Sequence, residues 1–209
     1  MPRLRTRLAA TAAGALTVVL TAAGGSAAVP VSPPGPNLFP NPSFENPQIA
    51  ANSFKIYNHG SSVGGWLVKS EAKGNVDVIN GTRLNTAWGE QSLDLNGTSK
   101  GGICHKLVLT RGAKYRLYFR YSGNPHHGGS FGPAVKGVLV TANYNNTYMV
   151  TKNLSYDVTG KTQADPGWKS SLTYFTSPVT DNYHVCFQAT TPGTAGLVLD
   201  TMSLRRVFQ

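Results

Sequence analysis

The run KYRLYFRY, Lys114 to Tyr121, sets apolar and polar residues in alternation, and the same two-residue period returns along the chain in short segments separated by Gly, Pro, Asn and Asp. Successive side chains of a strand point to opposite faces of a sheet, so a chain of this kind buries its apolar rows only by laying one sheet on another. Helical periodicity is nearly absent. The pattern predicts an all-β sandwich, with strands at 65–69, 75–79, 91–95, 102–109, 113–121, 135–143, 148–156, 168–176, 182–190 and 196–207. Asn145-Asn146, between two of these, reads as a hairpin turn because Asn tolerates positive φ.

Ahead of the patterned region stand Arg3, Arg5 and Arg7, an apolar stretch from Leu8 to about Ala23, and small residues ending in Ser26-Ala27-Ala28. This is the layout of a secretory signal peptide, residues 1–28, cut after Ala28. The apolar part is short for a membrane span and no second hydrophobic run follows it; a retained signal anchor is the alternative. Residues 29–36, VPVSPPGP, form a proline-rich leader unsuited to a sheet interior. One domain, 37–209, remains, of a size that buries roughly 70% of its unfolded surface. Without the three signal arginines, 16 Lys+Arg face 9 Asp+Glu, a net charge of +7. No acidic residue lies between Asp94 and Asp157, whereas Lys100, Lys106, Arg111, Lys114, Arg116, Arg120, Lys136 and Lys152 do. Such a block favours a polyanionic partner, such as an acidic polysaccharide or wall polymer, and otherwise serves solubility. Export and the lack of a recognisable binding motif argue against nucleic acid.

Parity assigns faces within each strand. Tyr115, Leu117, Phe119 and Tyr121 point inward, while Lys114, Arg116, Tyr118 and Arg120 make an outer row with a basic ladder. In YHVCFQA, Tyr183, Val185, Phe187 and Ala189 point inward and His184, Cys186 and Gln188 outward; in ICHKLVL, Ile103, His105, Leu107 and Leu109 point inward and Cys104, Lys106 and Val108 outward. An even pair of cysteines in an exported chain implies a disulfide. Because both fall on outer rows, Cys104–Cys186 is expected between neighbouring antiparallel strands on one sheet surface, close to Lys106 and His184. The Arg116/Arg120 ladder is a candidate for the same platform.

In WGEQSLDLNG, parity sends Gln91, Leu93 and Leu95 inward and puts Glu90, Ser92 and Asp94 on the other row. Two carboxylates on one face are the residue type for glycoside hydrolysis. The strand shows neither a deep cleft nor a means of raising one pKa, so a catalytic pair is set aside. Four segments in order, NLFPNPSFENP, GGWLV followed by NVDVI, WGEQSLDLNGTSKGGI, and GLVLDTMSLRRV, resemble the secreted galactose-binding-like domains of the choice-of-anchor C group and the related plant cell-wall family known as domain of unknown function 642. The resemblance spans nearly all of the mature chain. It implies a galactose-binding-like jelly-roll β-sandwich of two antiparallel sheets, in proteins associated with walls and polysaccharides, with Trp66 and Trp168 matching core tryptophans. Two features depart from it: neither a tandem domain nor a C-terminal anchor is visible, and Cys104 stands where a polar residue is usual.

The resemblance also implies a structural calcium held by Glu45 of the NPSFE segment and Asp200 before the last strand, with backbone carbonyls completing the oxygen shell; the alternative is that both carboxylates cap turns. Sugar sites combine aromatic faces with nearby polar groups. Trp88 beside the motif strand, and Tyr144 and Tyr148 around the hairpin turn, are the aromatic candidates, with Arg116 and Arg120 added for acidic targets. His126-His127, in the flexible-looking loop 123–133, reads as a ligand contact, because a zinc site needs further ligands at readable spacing. No nucleophile motif is present. The expected function is a secreted, non-catalytic module attaching to cell-wall or extracellular polysaccharide. The alternatives are a lyase acting on acidic glycans, whose Arg, Lys, Tyr and His are present without its strand motifs, and a cell-surface structural or interaction protein.

Overall fold

The computed structural model describes residues 34–208; the expected signal peptide and most of the leader lie outside the described residues. Twelve strands form: β1 (Phe54–Tyr57), β2 (Ser62–Val63), β3 (Trp66–Val68), β4 (Val76–Asn80), β5 (Gln91–Asp94), β6 (Gly102–Leu109), β7 (Lys114–Gly123), β8 (Val135–Tyr144), β9 (Thr147–Asp157), β10 (Lys169–Thr176), β11 (Asp181–Ala189) and β12 (Leu197–Val207). All ten expected strands are among them. They make two antiparallel six-stranded sheets, the first in the order β1-β4-β5-β12-β7-β10 and the second β2-β3-β6-β11-β8-β9. Only β1 and β2 had no readable alternation, both being short. Asn145 and Asn146 take φ of 42° and 60° at the β8–β9 turn, as the sequence requires.

Parity holds in the core. Phe119 of β7 meets Phe187 of β11 edge-on, with ring centroids 5.1 Å apart, and so joins the two sheets. Trp66 is fully buried against Phe39, and its indole N–H donates to the Pro40 carbonyl at 2.9 Å. Trp168 corrects the expectation drawn for it. It is half-buried on the outer surface of the first sheet, against Ile79, Leu84 and Val198, and its N–H donates to the Asn85 carbonyl. Trp168 stands just ahead of β10, out of phase with the buried Ser171 and Phe175 of that strand.

The leader is not wholly outside the fold. The Gly35 N–H donates to the Arg206 carbonyl at 2.9 Å and the Arg205 guanidinium donates to the Gly35 carbonyl at 3.0 Å, so the chain from Gly35 onward runs beside β12.

Candidate functional site

The disulfide forms as parity implies. Cys104 of β6 and Cys186 of β11 are direct cross-strand partners, with Cα atoms 4.1 Å apart. It lies on the outer surface of the second sheet, in the floor of a groove of about 750 Å³. Lys106 and His184, outer residues of the same two strands, stand in this groove; β8 adds Leu139, Thr141 and Asn143. The hairpin after β8 brings Asn145, Asn146 and Tyr148 to the groove, and the turn after β3 brings Lys69, Ser70 and Glu71. Burial first, and then the charges of Lys69 and Lys106, push the His184 imidazole below its ordinary pKa. The groove therefore offers a row of amides, the two lysines Lys69 and Lys106 with the acids Glu71 and Asp181 in the same lining, and one exposed aromatic ring, Tyr148, which is 56% exposed. That is the combination needed to bond hydroxyls, attract an anion and stack a sugar face.

The residues singled out in the sequence do not share one place. Tyr148 lines the groove, whereas Tyr144 turns to the core side of the sheet, its ring 5.1 Å from that of buried Tyr183, and is not a groove residue. Arg116 and Arg120 are on β7, in the other sheet, so the basic ladder does not share a platform with the disulfide. Parity orders residues within a strand but is silent on which strands become neighbours. Arg120 is also half-buried rather than open, donating to the Ala87 carbonyl at 3.2 Å. Trp88 is 63% exposed, in the loop over that same first sheet. His126 and His127 are exposed, with the His126 ring stacked on Phe131 at 4.9 Å. Their loop is tied down: the fully buried Lys136 ammonium donates to the carbonyls of His126, at 2.8 Å, and Phe131, at 3.2 Å.

Asp94 was placed on an outer row and does lie there, yet it is fully buried. Loops cover this part of the first sheet. Across the ladder it faces a second carboxyl, Asp77 of β4. Glu45 and Asp200 both reach the loop before β5. Glu45 Oε1 accepts the N–H groups of Glu90 and Gln91, at 3.0 and 3.1 Å, and Asp200 Oδ2 accepts those of Ala87 and Trp88, both at 2.9 Å. Among the described residues no three His, Cys, Asp or Glu side chains gather around one point. Lys69, Asn143, Asn182 and Gln188 are groove residues that the sequence reading missed. Asn182 and Gln188 share an outer row with Cys186 and are within reach of parity; Lys69 and Asn143 need the strand order.

No protein-family model matches the sequence, and no curated protein matches it. Solved structures do. One is TmCBM61 in complex with β-1,4-galactotriose, 18% identical, with a TM-score of 0.51 over 82% of this chain and 99% of that one. Another is an arabinose-bound MgGH51 α-L-arabinofuranosidase, 13% identical, with a TM-score of 0.52 over 81% of this chain and 26% of that one. At such identities the likeness is one of fold. The chain has the galactose-binding-like jelly-roll sandwich found in carbohydrate-binding modules, without family-level support for the choice-of-anchor C resemblance.

Proposed function

We propose that this chain is an exported, non-catalytic module that binds polysaccharide along the groove of the second sheet, with Lys69 and Lys106 favouring acidic chains of a wall or extracellular matrix. The observation that carries the reading is the groove: amides, two lysines and an exposed tyrosine on a disulfide-bridged floor. A saccharide-bound module of the same fold supports it, as does the signal-like sequence of residues 1–28. Among the described residues no helix is long and apolar enough to cross a membrane. The test is retention on immobilised neutral and uronic-acid polymers. Wild type should be retarded, Tyr148→Ala should lose at least tenfold in affinity, and Lys106→Ala should weaken acidic polymers more than neutral ones, an effect that high salt erases. Equal migration of all three proteins on every polymer sinks the proposal.

One observation favours a second reading. A His184 imidazole whose pKa is lowered by burial and by two nearby lysines has the makings of the base in a β-elimination, with the lysines facing the uronate carboxylate. Unsaturated uronic ends released from an acidic glycan would rise in ultraviolet absorbance; a flat trace removes the lyase.

Calcium at Glu45 and Asp200 is proposed as a clip on the loop before β5, supported by two hard-oxygen side chains converging there. The loop amides already give the same clip through hydrogen bonds. A calcium-dependent rise of several degrees in the unfolding midpoint, reversed by EDTA, would support the ion, and identical midpoints would dispose of it.

A further inference from the structure

The outer surface of the first sheet carries a second cavity, of about 400 Å³, remote from the groove because it opens on the opposite face of the sandwich. Phe54 and Ile56 of edge strand β1 form one apolar wall and Phe131 another, and all three are more than a third exposed. Exposed aromatic and aliphatic side chains around a concavity are costly in water and mark a contact surface. The loop bearing Phe131 is not free to collapse into the space, since Lys136 holds its carbonyls and His126 stacks on the ring.

Polar groups meet this apolar surface at the base and rim. Asp77 stands in the lining, 7% exposed, and its Oδ1 has no hydrogen-bond partner among the described residues. The neighbouring Asp94 is by contrast saturated, accepting the N–H groups of Asn96 and Gly196 and the Asn124 amide, all within 2.9 Å. Burial, with the Asp94 charge second, raises the Asp77 carboxyl to about 7, and no hydrogen bond offsets it. A buried carboxyl left without a donor costs free energy that a ligand hydroxyl would recover. Gly97 leaves room for the carboxyl, because a Cβ there would lie 2.6 Å from Asn75 Oδ1 and 2.8 Å from Asp77 Oδ1. Thr98, Thr194 and Gln163 line the rim with further hydroxyl and amide groups.

We infer that this cavity is a second ligand site, taking a single sugar residue: an apolar C–H face against Phe54 and Phe131, and hydroxyls directed to Asp77 and the Thr98 rim. The cavity is at the small end of ligand sites, suited to one ring rather than a run of chain. Arg83, whose guanidinium lies over the Phe54 ring at 4.8 Å, sets a positive charge at the same rim and disfavours an ammonium ligand. The inference does not depend on the groove.

Backbone amide shifts of the labelled protein, titrated with methyl β-galactopyranoside, methyl β-glucopyranoside, methyl α-mannopyranoside and glucosamine hydrochloride, test it. At least one neutral glycoside is expected to move the amides of Asp77, Gly97, Thr98 and Thr194 while leaving those of Asn143 to Tyr148 unmoved. Phe131→Ala and Asp77→Ala should each weaken that response at least tenfold, and Tyr148→Ala should not change it. Phe131 is an exposed loop residue, so its variant tests the site without disturbing the core. No response to any neutral glycoside, a response only to glucosamine, or a response that survives both pocket variants would overturn the assignment. Loss of polymer retention in Tyr148→Ala alone bears on the groove and leaves this site standing.

Discussion

Three aspartates set an unusual pH behaviour at the scale of single residues. Burial raises Asp77 and Asp94 to about 7 and Asp200 to about 6; for Asp94 and Asp200, hydrogen bonds hold part of the rise back. Each folded pKa lies above its unfolded value, so between about pH 4 and 7 the folded protein keeps protons that the unfolded chain has released. The stability they contribute is complete below about pH 4 and is lost as pH rises through 7. His105 and His184, both lowered chiefly by burial, act in the opposite sense, losing stability as pH falls through the histidine range. Three carboxyls, two of them raised to about 7, outweigh two histidines. The unfolding midpoint should therefore be higher at pH 5 than at pH 8. Asp77→Asn, which removes one of these protons, should gain about 2 kcal/mol more at pH 8 than at pH 5. Denaturant unfolding at the two pH values checks this; a gain of equal size at both would mean that Asp77 titrates normally.

Between elements, the β6–β11 pair shows what alternation reveals and what it leaves hidden. ICHKLVL and YHVCFQA each carry one cysteine on the polar row, and two such cysteines meet only if their strands are neighbours. Parity therefore puts Lys106 and His184 together. It gave no reason to seat Asn143 beside them, because β8 joins β11 from its other edge and nothing local in VKGVLVTANY says so. The Arg116/Arg120 ladder failed for the same reason: β7 pairs with β10 and β12. Asp77 was hidden in NVDVI, where a lone acid in an apolar strand is visible but its burial under loops is not. Across its 82-residue separation the disulfide should contribute about 4 kcal/mol by the chain-entropy account. A Cys104→Ser, Cys186→Ser double variant should unfold at correspondingly lower denaturant and exchange amide hydrogens faster along β6 and β11. Unchanged exchange there would mean that the ladder alone fixes the groove floor.

For the whole molecule, the sandwich is one joint between two sheets, and Phe119 and Phe187 sit in it. Phe119→Ala should cost about 3–5 kcal/mol, seen as a lower denaturation midpoint with an unchanged m-value; a loss below 1 kcal/mol would mean that the sheets adhere mainly elsewhere. The architecture was legible because inward rows such as Tyr115, Leu117 and Phe119 admit one solution, a second layer. Lys136 was not, since a charge count treats every lysine as solvated, and only the path of the loop from Gly123 to Pro133 makes its ammonium an internal tether.

The groove and the Asp77 cavity open away from each other, on the backs of two different sheets. A single linear glycan cannot lie in both without rounding the edge of the protein. Filled on both sides, each molecule becomes a bivalent crosslinker that joins separate strands, and a polymer solution would thicken or precipitate near stoichiometric mixing and clear again when free monosaccharide is added.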